Sequence, residues 1–382
     1  MGIVNLRKYR LLLIIFIVIS IILFSLYLGV ENFRKFVDEK VIKKEVEENS
    51  SKSTYLLTGN KYNVIPTLDN IYTVQSGQLK SYDKYGIEKN SERVSISNPI
   101  FDSSDKYATI SEKQSISFYL LEDGKVKWEK KVDTPIVGIK VNKNGYVAVM
   151  SENNIYKAVV TVFNNKGDKL FKTYVSDSYG MSASISNDNK YLVIGSVNYS
   201  KTIANSNIKI VSMEKAKTDP DGAIINEYNI GKLLIDIKIK DGGEVIGQFS
   251  NSITRFGILD KKEEEIYKLE SNVEFVDINN NNNIALIEKK VENENNSKFY
   301  LKIINAYGKQ VSIYDLDDKL PKEILCRNDT IGINMNNGIN IYTENGWLKK
   351  KYKSSTTEIR DFNLSDSILT VIYRDKYEVI GI

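Results

Sequence analysis

The sequence predicts an all-β domain built from repeated four-stranded units, preceded by one apolar helix. Three observations carry that expectation. Short runs alternate Val, Ile, Tyr, Phe and Thr with other residues, as in Tyr107–Ser111 (YATIS), Tyr146–Met150 (YVAVM), Lys190–Ser196 (KYLVIGS) and Ile368–Tyr373 (ILTVIY). That period-two pattern suits a pleated, half-buried strand bounded by polar turns. The runs recur at a regular spacing down the chain, and a single uncharged stretch, Leu11 to Val30, stands apart from them near the N-terminus.

The N-terminal stretch reads LLLIIFIVISIILFSLYLGV. As a helix rising about 1.5 Å per residue, it covers roughly the 30 Å hydrocarbon core of a bilayer. Arg7, Lys8 and Arg10 precede it with no acidic residue, whereas Glu31, Arg34, Lys35, Asp38, Glu39 and Lys40 follow it with both signs. A one-sided cationic flank is retained in the cytoplasm. The expectation is therefore a cytoplasmic tail over 1–10, a transmembrane helix over 11–30 and an extracytoplasmic bulk. A cleaved signal peptide is the alternative. The apolar stretch exceeds the usual h-region of about 7–15 residues, and no clean A-x-A-like site follows it, so an uncleaved anchor is expected. Over 31–53, Phe33, Phe36, Val37, Val41, Ile42 and Val46 fall largely at helical spacing, which predicts a short stalk helix. Glu45 to Ser53 loses the pattern and reads as a linker to an ectodomain over 54–382.

Apolar strands that follow polar turns begin near Ile71, Tyr107, Tyr146, Tyr191, Val245, Ile284, Ile331 and Ile368. Their intervals average about 42 residues, the length of a four-stranded propeller blade. Polar turns with glycine at Gly86, Gly124, Gly167, Gly222, Gly308 and Gly346 precede the next strand start by 21 to 24 residues. Such turns imply hairpins with a φ > 0 position that favours glycine. The unit starting at Val245 has Leu259–Glu264 (LDKKEE) where its glycine is expected. Seven full units start at Ile71 through Ile331, and an eighth starts at Ile368 and reaches Ile382. That last unit then has two strands and lacks one on its outer edge. Ser53–Leu57 (STYLL) supplies a spare strand, and pairing the two ends closes a ring with no open edge at the seam. The predicted fold is an eight-bladed β-propeller, with seven blades as the alternative if the long unit from Tyr191 to Gly243 hides an insertion.

Composition narrows the chemistry. Histidine is absent and Cys326 is the sole cysteine, which excludes Ser-His-Asp and Cys-His nucleophile systems, HExxH zinc sites, four-cysteine metal sites and any intramolecular disulfide. Carboxylate-pair chemistry, a Ser–Lys dyad and oxygen-ligated Ca²⁺ or Mg²⁺ stay open. The net charge is +4, of which the N-terminal flank supplies most, so no electrostatic footprint for nucleic acid is present.

Asp123-Gly124-Lys125-Val126-Lys127-Trp128 resembles the D-G-K-x-x-W core that recurs in quinoprotein-like (PQQ-like) propellers and outer-membrane-assembly-lipoprotein-like propellers. Asn345-Gly346-Trp347 and Asn165-Lys166-Gly167-Asp168 are looser relatives of it. The resemblance implies eight blades and an aromatic residue docked between blades. As a whole, the chain resembles an uncharacterised family of single-span membrane proteins with a PQQ-like β-propeller ectodomain, from low-GC Gram-positive anaerobes. Quinone-dependent activity is not expected, because the vicinal disulfide of many quinoproteins cannot form from one cysteine. No cofactor is expected, and no catalytic, cofactor-binding or metal residue is assigned.

The remaining candidates read as structure. Cys326, in the apolar stretch EILC, reads as a small buried hydrophobe. Asp277 and Asn279–Asn283 lack the D-x-[DN]-x-[DN]-G spacing of a Ca²⁺ loop and read as a polar turn feeding the strand at Ile284. Ser103–Lys106, Asn142–Gly145 and Ser186–Lys190 occupy equivalent places before strands and read as turns. Lys349–Lys351 reads as a solvated strand edge. The 24 tyrosines suit a protein- or sugar-binding surface, yet Tyr107, Tyr146 and Tyr191 begin strands, where blade packing accounts for them. The expected function is a non-enzymatic, membrane-anchored scaffold that binds an envelope protein or a cell-wall glycan. An envelope sensor or accessory subunit, and a carboxylate-dependent hydrolase or lyase in the propeller channel, are the alternatives. The hydrolase predicts paired carboxyls of raised pKa in a concave site.

Overall fold

The computed structural model describes residues 2–30, 33, 37, 52–56 and 63–382, apart from 76, 201–203, 241–242, 280–282, 294–295, 317–318 and 355–357. Two compact units divide the chain, Met1–Glu47 and Glu48–Ile382. The first contains a helix over Gly2–Gly29. Its apolar side chains from Leu13 to Leu26 are exposed, Phe16 at 70% and Phe24 at 63%. Among the described residues, no helix is long and apolar enough to cross a membrane; within Gly2–Gly29, side chains are described only from Leu13 to Tyr27. The stalk expected over 31–53 lies outside the described residues, apart from Phe33, Val37 and the start of a strand at Lys52.

The second unit is an all-β eight-bladed propeller. Eight sheets of four antiparallel strands are present, spanning 63–93 (blade 1), 99–131 (blade 2), 136–175 (blade 3), 179–230 (blade 4), 234–268 (blade 5), 273–315 (blade 6), 323–353 (blade 7) and 361–381 with 52–56 (blade 8). Blade 1 comprises Asn63–Pro66, Asn70–Gln75, Gln78–Asp83 and Glu88–Arg93. The first strands of most successive blades touch, and the first strand of blade 8, Asp361–Leu364, touches the first strand of blade 1. The sheets thus stand radially around an axis lined by their first strands. Every strand start expected from the sequence falls in the second strand of a blade or, at Tyr146, one residue before it, as at Tyr107–Glu112, Val147–Ser151, Tyr191–Asn198, Ile284–Asn293 and Ile368–Ile372. These second strands are buried on both faces, between neighbouring blades, so they read as the most apolar runs in the chain.

That offset corrects the expected anatomy of the last blade. It has three C-terminal strands, Asp361–Leu364, Ile368–Ile372 and Lys376–Gly381, because the polar-looking segment before Ile368 is its innermost strand. The fourth strand is Lys52–Leu56, paired antiparallel with Lys376–Ile380, Thr54 opposite Glu378. Ring closure by the N-terminal segment stands as expected. The long unit after Tyr191 keeps four strands and inserts a helical turn, Met213–Ala216, capped by the Ser212 side chain, between its last two.

The glycine turns divide in two. Gly86, Gly124, Gly167, Gly308 and Gly346 have φ between 73° and 85°, whereas Gly222 sits beside the helical insertion and is not left-handed. In blade 5, where glycine is missing, Lys261 itself adopts φ 53°. The hairpin therefore keeps its conformation at the cost of a strained side chain, about 1–2 kcal/mol for a residue with a Cβ.

Cross-blade contacts hold the register of the ring. The Gly124 N–H donates to the Tyr72 hydroxyl at 2.9 Å, and Ser81 Oγ donates to the Gly124 carbonyl. Trp128 Nε1 donates to the Asn165 carbonyl of blade 3 at 3.1 Å, with its ring edge-on to Phe118. The aromatic of the D-G-K-x-x-W segment is docked between blades, as the resemblance implies. On one face of the ring, the turns before the second strands also stitch neighbours together. Asn142 Nδ2 donates to the Ser186 carbonyl at 2.9 Å, and Asn328 Nδ2 to Asp366 Oδ2 at 2.7 Å. This explains why polar turns recur at Ser103–Lys106, Asn142–Gly145 and Ser186–Lys190.

Candidate functional site

The innermost strands all run the same way along the axis, so the ring has a first face where they begin and a second face where they end. Side chains alternate along them. In blade 7, Ile324 and Cys326 point into the sheet packing, while Glu323 and Arg327 are half-buried at the channel. Cys326 is 2% exposed and free, and burial pushes its thiol well up, so it is the inert core residue that the sequence suggested.

Carboxyl groups gather along the channel. Glu323 is raised to about 7 by burial and by the nearby carboxylates Asp361 and Asp277. Burial also raises Asp361 and Asp277, in the latter against the pull of Arg327 and Lys238. Asp277 Oδ2 accepts the Cys326 N–H at 2.6 Å and its Oδ1 the Ile278 N–H at 2.8 Å. Asp277 is therefore a clamp between blades 6 and 7 at the end of a strand, outside the turn in which the sequence placed it. Residues 280–282 of that turn lie outside the described residues, and its two ends are paired: Asn279 N–H donates to the Asn283 carbonyl at 3.0 Å, and Asn283 N–H donates back to Asn279 Oδ1. Among the described residues, no group of three or more carboxyl or thiol side chains could hold a metal ion.

Glu323 has a readable consequence. Its pKa is raised on folding from an ordinary value of 4.5 to about 7, so the native state binds more protons than the unfolded chain between those values. The contribution to stability is full below the unfolded pKa and is lost as pH rises through about 7. Glu323→Gln is expected to flatten that part of the stability–pH profile and to raise the urea midpoint at pH 8. A profile unchanged by the substitution would place the titrating group elsewhere.

Toward the second face, cations meet. Lys140 Nζ lies 3.6 Å from Asp102 Oδ1, and Lys238 Nζ lies 3.5 Å from Asp236 Oδ2. Asp236 raises the Lys238 ammonium pKa; in return, burial of Asp236 is outweighed by Lys238, Lys140 and Ser182. Ser182 Oγ donates to Asp236 Oδ1 at 2.6 Å.

The first face carries a different surface, on blades 3 and 4. Tyr156 and Tyr174 stack with centroids 4.6 Å apart, and Tyr179 and Tyr199 lie 6.3 Å apart. Lys157 Nζ sits 5.0 Å over the Tyr179 ring, and the Tyr199 hydroxyl touches Met181 Sδ at 3.6 Å. These are two contact groups, brought next to each other on the rim by the neighbouring residues Tyr156 and Lys157 and flanked by Ile155, which is 75% exposed. The sequence assigns Tyr107, Tyr146 and Tyr191 to blade packing, and that holds: Tyr107 is 5% exposed, and Tyr146 and Tyr191 are half-buried against the core between blades. The rim tyrosines are other residues, which the sequence does not single out. Lys349–Lys351 lies on the outermost strand of blade 7, Leu348–Lys353. There Lys349 and Lys351 are solvated, but Lys350 turns inward and donates to the Gly381 carbonyl.

A family profile matches residues 33–382. The chain belongs to the DUF5711 family, a family of unknown function. No curated protein matches this DUF5711 chain. Among solved structures it is similar to Chaetomium thermophilum Sqt1 bound to the N-terminus of ribosomal protein L10, at 10% identity and TM-score 0.53, covering 82% of this chain and 94% of that one. It is also similar to a eukaryotic initiation factor, at 11% identity and TM-score 0.52, covering 85% and 86%. The Myceliophteria thermophila Cps50 (Swd1) propeller domain matches at 11% identity and TM-score 0.49, covering 86% and 100%. At these identities the likeness is one of fold: the DUF5711 chain is a β-propeller.

Proposed function

We propose that this DUF5711 chain is a membrane-anchored, extracytoplasmic propeller that binds a protein partner at the cell envelope through the first-face rim of blades 3 and 4. The observation that carries the reading is the exposed group Tyr174, Tyr179, Met181 and Tyr199, in which Tyr174 stacks on the half-buried Tyr156 and Tyr199 contacts both Tyr179 and Met181. Exposed aromatic and Met side chains held in place by mutual contacts are what binding hot spots use. Tyrosine alone would suit a glycan equally well. Met181 and Ile155 favour a protein, because aliphatic groups offer no stacking face to a sugar. Support for the anchor comes from the apolar run Leu11–Val30, its basic flank at Arg7, Lys8 and Arg10, and the exposed side chains from Leu13 to Leu26. Apolar surface of that extent is unfavourable in water and favourable in hydrocarbon.

One experiment tests location and partner together. Ile155→Cys is introduced into the full chain, and intact cells receive a membrane-impermeant maleimide carrying a photocrosslinker. Cys326 is buried and does not compete. The expected result is labelling without lysis and capture of one protein. Adding Tyr179→Ala or Tyr199→Ala should each weaken capture by about 30-fold, at about 2 kcal/mol per hot spot. Labelling that requires lysis would overturn the location, and capture indifferent to both tyrosines would overturn the rim.

A second reading, a carboxylate-dependent hydrolase or lyase, is favoured by Glu323 and Asp361, two carboxyls of raised pKa facing the channel. Turnover of a glycan by the purified chain, abolished in Glu323→Gln, would establish it over the binding role.

A further inference from the structure

At the second face the channel widens into a cavity of about 60 Å³ lined by Ser184, Asn187, Lys140, Lys238, Asp102 and Arg327. Arg327 closes the end of the innermost strand of blade 7 and also lines a smaller neighbouring cavity with Asn328 and Asp366. Among the described residues, its guanidinium makes one hydrogen bond, from Nη1 to the Cys326 carbonyl at 2.8 Å, and no carboxylate lies within 4.0 Å of it. Most of its planar array of N–H donors is therefore uncommitted. Lys140 and Lys238 each hold one carboxylate at more than 3.4 Å, which leaves further donors on both ammonium groups. The wall is rich in charged donors and its carboxylates are already held.

We propose that this cavity binds a carboxylate group, with the Arg327 fork as its bidentate partner and Lys140 and Lys238 completing the positive wall. Three features select that chemistry. A cavity of about 60 Å³ holds roughly four waters at about 15 Å³ each, which suits one carboxylate head and excludes a sugar ring or a nucleotide. The guanidinium geometry matches a planar two-oxygen acceptor. Asp102 pairs with Lys140 and Asp236 with Lys238, so the wall is only partly neutralised, with Arg327 in excess, and suits a monoanion better than a dianion. The carboxylate can belong to a free small acid or to the C-terminus of a peptide.

Calorimetric titration of the full-length chain in detergent separates these cases. The probes are acetate, triglycine with a free C-terminus, triglycine amide and inorganic phosphate. The expected result is binding of acetate, triglycine or both, with the tighter of the two identifying the source, and no binding of the amide. Arg327→Gln should weaken binding by about tenfold or more, and Arg327→Lys should restore only part of it, because charge returns without the fork. An unchanged urea midpoint excludes unfolding; should Arg327→Gln fail to fold, Lys140→Gln reports on the same wall. No binding of either carboxylate probe, binding unaffected by these substitutions, or phosphate binding more tightly than both would overturn the proposal. The rim experiment on the opposite face is independent of every one of these outcomes.

Discussion

Glu378→Ala is expected to destabilise the propeller by about 3 kcal/mol, the upper cost of leaving a buried hydroxyl without its charged acceptor. Glu378 lies on the third strand of blade 8 and is 1% exposed. Its carboxylate accepts the Tyr352 hydroxyl of blade 7, and the Tyr352 and Tyr373 hydroxyls are bonded to each other. Lys376 Nζ sits 2.8 Å from Glu378 Oε1 and 4.8 Å over the Tyr373 ring. Alanine leaves an ammonium without its counter-charge and a buried hydroxyl without its acceptor. Glu378→Gln keeps the volume and an acceptor for Tyr352, so its cost should be about 1–2 kcal/mol, mostly the lost charge assistance to Lys376. Urea unfolding of the three proteins at pH 7 measures the series. An alanine variant within about 0.5 kcal/mol of the parent, typical of a surface site, would mean that the cluster contributes nothing to the seam between blades 7 and 8.

Phe118→Ala should cost a similar amount, about 3–5 kcal/mol, for a different reason. Phe118 is fully buried, with ring centroids 5.5 Å from Trp128 and 5.0 Å from Phe163 of blade 3. Alanine opens a cavity at the junction of two blades, and both remaining rings lose an edge-to-face partner. Trp128→Phe gives the comparison: the ring stays, and the hydrogen bond to the Asn165 carbonyl goes, at about 1 kcal/mol. Equal losses for the two variants would show that the hydrogen bond, not the ring packing, holds the junction.

Much of this architecture is legible in the sequence because it rests on local constraints. Second strands such as Ile331 and Ile368 are apolar on both faces, and turns such as those at Gly124 and Gly167 need a left-handed residue, so both leave marks at fixed spacing. Lys261 shows the limit, since the backbone enforces φ 53° where the expected glycine is absent. The last blade was misjudged by one strand because Asp361–Leu364 carries polar residues on its channel side and looks like a loop. The same alternation hides the channel. Asp236 and Lys238 in Leu234–Lys240, or Glu323 and Arg327 in Glu323–Arg327, read as ordinary half-exposed strand residues. Only closure of the ring brings strands from residues far apart in the chain to one axis. The rim was missed because Tyr179 and Tyr199 are indistinguishable in sequence from tyrosines such as Tyr107 that fill the core.

The closing strand Lys52–Leu56 has a mechanical consequence. It is the first described strand of the propeller unit after the segment joining it to the helix Gly2–Gly29, and it is paired with the last strand of the ring. Tension applied along the chain from the N-terminal side therefore reaches this five-residue ladder before it reaches blade 1. The ladder is the element that takes the load first, and its release would leave blade 8 with three strands while the other seven blades keep all of theirs.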